Sequence, residues 1–309
     1  MAIITSLIHY LIFLNTPELL DKIDFFYTNL FQGNFKFTTK QMRIIVPILY
    51  AFFKKISFSE THVAYLLTEG LIALLTYSVF WKFLKSYLNG PEKILGLLFL
   101  NGLVVASFAW SFTLGTTINL ALFTLCLLCI ERKSAFYLLS LSIFLLALQR
   151  IDLAAFASII YLFGQEKEGS PWSKRVFKTA FLLSMVFVLG FVIKLALDIN
   201  DGLGMQFYRH IDGKKTLLFL ANLKRPWLFI LEFNLLLILP FINFKKKPVL
   251  LRRGLIIMIP YFLILLVVGD LIDLRLFFPF MVFLIPLSIL TLRPILTPLI
   301  QSDLRFPYN

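Results

Sequence analysis

The chain has 309 residues, of which 59% are apolar and 15% are charged, and its mean hydropathy is +0.86. Ordinary soluble domains carry about 25% charged residues, so this composition excludes a soluble globular domain and indicates a protein that crosses a membrane several times. The net charge of +13 does not indicate a nucleic-acid partner, because the Lys and Arg residues stand in short clusters between apolar runs, which is typical of charge that flanks membrane spans.

Apolar runs bounded by charge predict about ten spans, several of them shorter than the about 20 residues that a full crossing needs. Their approximate limits are 2–14, 62–81, 94–111, 116–130, 135–148, 153–163, 179–197, 226–242, 254–269 and 276–291. The expected fold class is all-α, a polytopic transmembrane helical bundle that forms a single transmembrane domain over 1–309. Residues 1–61 hold the first span and an acidic outer loop, and 62–309 hold the remaining bundle.

Two segments near the N-terminus need their own interpretation. The first run, 2–14, is expected to be a short or tilted span; a cleaved signal peptide is the alternative, but no basic leader precedes the run and no small-x-small pattern follows it. The segment 42–53, MRIIVPILYAFF, is too short to cross and contains Pro47. It is expected to be an interfacial helix on the outer surface.

Alternating loops differ in their positive charge, and this difference predicts the orientation. With the N-terminus inside, the loops after residues 81, 130, 163 and 242 are cytoplasmic, and those at 15–61 and 198–225 are external. The basic residues that fall on the cytoplasmic side are Lys82, Lys85, Lys93, Arg132, Lys133, Lys167, Lys174, Arg175, Lys178, Lys245, Lys246, Lys247, Arg252, Arg253 and Arg293.

The runs at 135–148 and 153–163 allow two interpretations. One long helix could cover both, with Arg150 and Asp152 buried inside it, and the sidedness of everything downstream would then invert. Two short half-spans that meet at the outer side keep the later basic clusters cytoplasmic. The second interpretation is preferred for that reason, and because charges at membrane depth are costly and usually line a cavity.

With this orientation, several charged residues that a loop does not need merely for solubility fall on the outer side. The two candidate catalytic residues are Asp24 and Asp21, and the candidate substrate-binding residues are Arg43, Arg150, Asp152, Arg209, His210, Asp270, Asp273 and Arg275. A carboxylate just outside the bilayer can act as a general base toward an acceptor hydroxyl. The alternative is that Asp21 and Asp24 are ordinary loop acids, and their spacing alone favours that alternative.

Arg43, Arg150 and Arg275 each stand at the outer end of an apolar run. A guanidinium at that depth can bind a lipid phosphate through two hydrogen bonds, although a single arginine could merely reach toward the headgroups. Cys126 and Cys129 have CxxC spacing inside an apolar run, which is more typical of a buried structural pair than of a redox or metal site. No metal site is predicted, and scattered histidines argue against one.

The order of these features resembles the GT-C class of integral membrane glycosyltransferases. The matching elements are an acidic first outer loop (LLDKIDFFY) before a horizontal helix, the segment RIIVPIL, the element QRID between middle spans, and the turn DLRLFFPF before a Pro-containing span. The order of these elements and the predicted topology are similar to those of that class over most of the chain.

The resemblance implies transfer of a sugar from a polyprenyl-phosphate carrier to a glycan, lipid or protein acceptor on the extracytoplasmic face, with no cofactor. A bacterial plasma membrane is the expected location, and membrane lipids are expected partners. A transporter or flippase of an anionic lipid or glycan is the first alternative. A non-catalytic subunit of an envelope-assembly complex, which would need none of the acids, is the second.

Overall fold

A computed structural model describes residues 44–58, 60–108, 114–164, 171–196, 234–268 and 277–303, together with Met1, Ile3 and Ser6. Within these ranges the chain forms helices and turns, with no strand. The helices are α1 Ile45–Ile56, α2 Thr61–Leu84, α3 Gly90–Phe108, α4 Leu114–Glu131, α5 Phe136–Gln149, α6 Ile151–Gly164, α7 Trp172–Ala196, α8 Val249–Ile257, α9 Ile259–Val268 and α10 Phe278–Asp303. Three short 3₁₀ helices, Asn234–Leu237, Leu239–Phe241 and Phe244–Lys246, are called the 3₁₀ segment.

Three of these helices are long and apolar enough to cross a membrane, which agrees with the expected helical membrane protein. They are Thr61–Leu84, Trp172–Ile193 and Phe278–Leu296. Shorter apolar helices cover Thr116–Glu131, Phe136–Gln149 and Ile151–Gly164. The count of ten spans is not confirmed.

Two expected spans are not continuous α-helices in the described part of the chain. The run at 226–242 enters the 3₁₀ segment from residue 234, where Pro240 has no N–H to donate and Asn243 is left-handed at φ 53°. The run at 254–269 is divided at Met258 between α8 and α9. Pro260 lies in the first turn of α9, where a missing N–H costs little, so a new helix begins there.

Helix α1 corresponds to the expected interfacial segment, shifted toward the C-terminus. Its inner side buries Val46 and Tyr50. Ile48, Phe52 and Ile56, spaced four residues apart, form an exposed apolar stripe on another face. Two apolar faces on one short helix suit a helix that packs on the bundle with one face and contacts lipid with the other.

The core is built mainly where α2 packs along α4. Phe80, Phe123 and Phe283 are fully buried there, and the Phe123 and Phe283 rings meet edge to face with centroids 6.1 Å apart. Between α2 and α3, the Tyr77 hydroxyl donates to Asn101 Oδ1 at 2.8 Å. These contacts hold α2, α3, α4 and α10 as the frame against which the shorter helices pack.

Helices α5 and α6 form a hairpin that turns at Arg150. Each has 14 residues and is therefore about 21 Å long. The ring of Phe136, at the start of α5, lies 6.3 Å from the ring of Tyr161, near the end of α6. The two helices therefore run back along each other, and the preferred interpretation of two helices meeting near Arg150 is confirmed. Arg150 marks what is called the apex end of the bundle.

The opposite end, called the base end, gathers the basic turns. A cavity of about 290 Å³ is lined by Glu131, Lys133, Gly164 and Leu250, among others, so the ends of α4 and α6 meet the start of α8. Arg253 Nη1 donates to the Phe163 carbonyl at 3.0 Å. The basic clusters at 132–133 and 245–253 therefore share one end, as the alternation of loops requires. That this end faces the cytoplasm stays a prediction.

Candidate functional site

The backbone at Arg150 joins two helices through one extended residue, with φ −154° and ψ 100°. Its N–H donates to the Leu146 carbonyl at 2.5 Å and closes α5, and its own carbonyl accepts the Ala154 N–H at 3.1 Å and opens α6. Both backbone polar groups are therefore satisfied although the chain reverses direction. A helix can be interrupted beside lipid only where such groups find protein partners or a wet cavity.

The start of α1 is fixed to the same apex. The N–H of Ile44 donates to the Leu148 carbonyl at 3.2 Å. Leu148 lies in the last turn of α5, where carbonyls lack intrahelical partners. Ile44, the first residue of the described range 44–58, is therefore held beside the α5–α6 hairpin.

The Arg150 side chain is held by two partners. Its Nε donates to Asp152 Oδ1 at 2.9 Å, and its Nη2 donates both to Asp152 Oδ2 and, at 2.9 Å, to the Tyr261 hydroxyl of α9. The guanidinium carbon also lies 5.9 Å from the centre of the Tyr261 ring. Two hydrogen bonds to one carboxylate fix the plane of the guanidinium. The remaining edge of Arg150, its Nη1 amino group, therefore has a defined position.

That edge is available to a ligand. Within the described ranges the Nη1 amino group of Arg150 donates to no carbonyl or side chain. The Arg150 side chain is 15% exposed, and the Asp152 side chain is 44% exposed. The Nη1 amino group therefore keeps two N–H donors for an anion that reaches this partly exposed side chain.

An aromatic wall continues from Tyr261 into an apolar cavity. The Tyr261 ring stacks on Phe280 of α10 with centroids 5.8 Å apart, and Phe262 meets Phe280 edge to face at 5.7 Å. Phe262, Phe277 and Phe280 line a cavity of about 230 Å³ together with Leu237, Phe241, Phe244, Leu255, Ile256, Ile259 and Leu284. Every lining side chain is apolar, so the cavity suits a hydrocarbon chain.

Of the ten candidate residues, the structure describes Arg150 and Asp152 and brings them into direct contact. The others lie outside the described residues: Asp21, Asp24, Arg43, Arg209, His210, Asp270, Asp273 and Arg275. Their convergence on one outer cavity therefore stays a prediction, as do their roles.

Sequence reasoning missed Tyr261. A usable signal existed, because Tyr261 is the one residue with a polar side-chain group in the apolar stretch IPYFLILLVV. A buried tyrosine hydroxyl usually finds a hydrogen-bond partner. Such a residue in an apolar helix is a candidate partner for a charge elsewhere in the bundle, here Arg150.

The base end holds two further charged groups with strong local contacts. Arg293 of α10 contacts both carboxylate oxygens of Glu92, at 2.7 and 2.9 Å, and its Nη2 also donates to the Tyr87 carbonyl. Glu92 precedes the span expected at 94–111. Burial opposes its ionisation, but Arg293 and the Asn89 N–H outweigh burial and hold the pKa of Glu92 below its usual value. Burial lowers the pKa of Lys247 to about 8.

Cys126 is buried and Cys129 is partly buried, and both are free thiols. Among the described residues, no group of three His, Cys, Asp or Glu side chains could hold a metal ion. The chain has no significant match to a protein-family model, to a curated protein or to a solved structure.

Proposed function

We propose that this protein is a membrane glycosyltransferase that moves a sugar from a polyprenyl-phosphate carrier to an acceptor on the extracytoplasmic face. One observation carries the proposal: Arg150 is fixed at the apex of a helical hairpin, with N–H donors available, and the rings of Tyr261 and Phe280 connect it to a wholly apolar cavity. A lipid-linked sugar phosphate needs this combination of a cation for its phosphate and an apolar surface for its chain.

The phosphate would be bound by the Nη1 edge of Arg150. Asp152 and Tyr261 occupy the other edge and keep the guanidinium from rotating. Because the guanidinium is fixed before the donor arrives, less side-chain freedom is lost when the phosphate binds. Arginine also remains charged at every physiological pH, so it can neutralise the phosphate that is released.

The first part of the polyprenyl chain would lie along Phe280 and Phe262 into the apolar cavity. A volume of about 230 Å³ is below the 300–1,000 Å³ that is usual for pockets that enclose a small ligand. It therefore suits the beginning of a long chain whose remainder stays in the bilayer.

In the proposed reaction the acceptor hydroxyl oxygen attacks the anomeric carbon of the sugar. A carbon–oxygen bond forms there, and the bond from that carbon to the phosphate oxygen breaks. The hydroxyl proton passes to Asp24, or to Asp21 in its place, and the electron pair stays on the phosphate oxygen, where Arg150 and Arg275 balance the charge. The hydrogen bond from Ile44 to Leu148 supports this arrangement, because it holds the residue that follows Arg43 in the sequence close to Arg150.

The test is donor binding and turnover by the purified protein in lipid nanodiscs, with a panel of radiolabelled polyprenyl-phosphate hexoses and pentoses. Arg150→Ala should weaken donor binding about 10- to 100-fold, because hydrogen bonds to a charged group are worth about 1.5–3 kcal/mol. Arg132→Ala, which removes an exposed arginine at the base end, is the matched control and should bind normally. Release of polyprenyl phosphate from none of the donors by folded wild-type protein would refute the proposal.

A transporter or flippase for an anionic lipid or glycan is the second candidate, and the division of the apolar run at 254–269 between α8 and α9 favours it. Discontinuous helices often bind substrate in membrane transporters. Vesicles containing the protein and a fluorescent polyprenyl-phosphate sugar separate the two candidates. Movement of the label between leaflets with the sugar still attached favours transport, and loss of the sugar to an acceptor favours transfer.

The third candidate, a non-catalytic subunit, makes a different prediction for the acidic loop. Replacing both Asp21 and Asp24 by Asn would leave the product in cells unchanged if the protein were only a scaffold. Loss of product with normal protein abundance would favour a catalytic role.

A further inference from the structure

A cavity of about 430 Å³ lies at the base end, where the turn after α2 meets the 3₁₀ segment and α10. Its polar lining consists of Ser86, Tyr87, Asn243, Lys246, Lys247 and Arg293, and Thr291 adds a hydroxyl. This cavity is separate from the apex cluster, because Arg293 and Lys247 belong to the opposite end of the bundle. The proposed transfer reaction uses none of these residues.

The charges around this cavity do not balance. Its described lining includes three cations and no carboxylate. Glu92 offsets the charge of Arg293 through the two-point ion pair. Glu131, which together with burial raises the pKa of Tyr87, lines the other base-end cavity. Among the described residues, neither Lys246 nor Lys247 forms an ion pair with a carboxylate.

Of these two lysines, Lys247 gives the stronger indication that the cavity binds an anion. Its side chain is buried, and in the described part of the chain the three N–H donors of its Nζ meet uncharged acceptors: the carbonyls of Leu239 at 3.0 Å, Pro240 at 2.9 Å and Leu287 at 2.9 Å, and the Thr291 hydroxyl at 2.5 Å. A buried ammonium without a counter-ion is costly. An anion in the adjacent cavity would offset that cost through its charge, while the exposed Lys246 can contact the anion directly.

The surroundings indicate that the anion belongs to a lipid. Ile242 lines the cavity and is 45% exposed, and Ile238 on the same segment is 63% exposed. These two exposed apolar side chains, called the apolar strip, lie on the segment that also supplies Asn243 and Lys246 to the cavity. A phosphate in the cavity with acyl chains along this strip uses both surfaces at once.

We propose that this base-end cavity binds the phosphate group of an anionic phospholipid, with Lys246 contacting the phosphate and Lys247 providing a buried positive charge behind it. Free inorganic phosphate offers the same chemistry without the chains. Basic pockets between helices on the cytoplasmic side commonly take anionic headgroups, and the base end is the side that the positive charge predicts to be cytoplasmic.

Native mass spectrometry of the detergent-purified protein tests this proposal, with dioctanoyl phosphatidylglycerol and dioctanoyl phosphatidylcholine as probes. The wild-type protein should retain one phosphatidylglycerol at concentrations that leave phosphatidylcholine unbound. Lys246→Gln should weaken phosphatidylglycerol binding about fivefold, because one lysine near an anionic headgroup strengthens binding by about that factor. Lys245→Gln removes the neighbouring exposed lysine, which does not line the cavity, and should change binding less than twofold.

A third measurement adds inorganic phosphate in the millimolar range, and it distinguishes a lipid phosphate from free phosphate as the ligand. Displacement of bound phosphatidylglycerol by phosphate supports recognition of the phosphate group of the lipid. Binding of phosphate without binding of phosphatidylglycerol overturns the lipid and leaves the free anion as the ligand. Equal retention of the two lipids, or equal effects of Lys245→Gln and Lys246→Gln, overturns the site.

Discussion

Arg150 and Asp152 are separated by one residue across a helix break and hold each other through two hydrogen bonds. Arg150 ends α5 and Asp152 lies in the first turn of α6, where a carboxylate is stabilised by the helix dipole. The pair therefore bridges the point at which the chain reverses. It fixes the guanidinium and closes the apex of the hairpin at the same time.

The first prediction concerns this pair. Asp152→Asn should weaken binding of the polyprenyl-phosphate donor by up to about fivefold, because an exposed ion pair contributes up to about 1 kcal/mol. In the Arg150→Ala background the same change should have no further effect, since Asp152 then has no guanidinium to orient. Donor titrations of the two single variants and the double variant measure this coupling, and an additive result would separate Asp152 from the function of Arg150.

The second prediction concerns the base of the proposed reaction. Asp24→Asn should lower turnover about 10²- to 10⁴-fold with donor affinity largely kept, because a general base acts in the transition state. Arg275→Ala should reduce both turnover and donor affinity. Donor binding and product release are measured on the same preparations. Normal turnover with Asp21 and Asp24 both replaced by Asn would remove this mechanism.

The third prediction concerns orientation. A single cysteine at position 205 should react with a membrane-impermeant maleimide added outside intact cells, and one at position 168 should react only after the membrane is opened. Long loops weigh little in the positive-inside rule, so the prediction rests on the short basic loops. The opposite labelling pattern would place the apex, and Arg150, on the cytoplasmic side.

The fourth prediction concerns packing between α8 and α10. A Cβ on Gly254 would lie 2.8 Å from Cζ of Phe283, whose ring is fully buried. Gly254→Ala should therefore destabilise the protein by ~1–3 kcal/mol, as other overpacked cores do. Gly70→Ala is the matched control, because nothing lies within 4 Å of its added Cβ. Gly70→Ala should be neutral or should stabilise α2 by up to about 1 kcal/mol. Thermal unfolding in detergent compares the two variants. Equal melting temperatures would contradict the close approach of Gly254 to the Phe283 ring.

The fifth prediction is a dependence of stability on pH through Glu92. Its pKa is lowered in the folded protein by Arg293 and the Asn89 N–H, which outweigh the opposing effect of burial. The group therefore contributes stability above its unfolded pKa of about 4.3, and that contribution is lost as the pH falls through the lower folded pKa. Glu92→Gln should melt below wild type at pH 7, and the difference should shrink as the pH falls below about 4. A difference that stays constant with pH would exclude the ion pair as its source.

Much of the fold follows from periodicity and charge. The apolar runs at 62–81, 116–130 and 153–163 lie within helices whose limits are a few residues wider, and the run at 135–148 differs from α5 by one residue at each end. The alternating clusters of Lys and Arg anticipated that 132–133 and 245–253 share one end of the bundle. Side-chain hydropathy and charge are local properties, so they can be taken from the sequence without knowing what each helix contacts.

The helix break at Arg150 could be expected only as one of two alternatives, since no Pro or Gly marks it in LQRID. Long-range partners complete it: the Ile44 N–H takes the Leu148 carbonyl, and the Tyr261 hydroxyl takes an Arg150 N–H. The division of the run at 254–269 had a local sign in Pro260, which an apolar count ignores. The sequence alone thus determined a helical membrane protein with its basic turns at one end. The tertiary structure decided which partners the Leu148 carbonyl and the Arg150 guanidinium find, because those partners lie about 100 residues away and no local pattern encodes their approach.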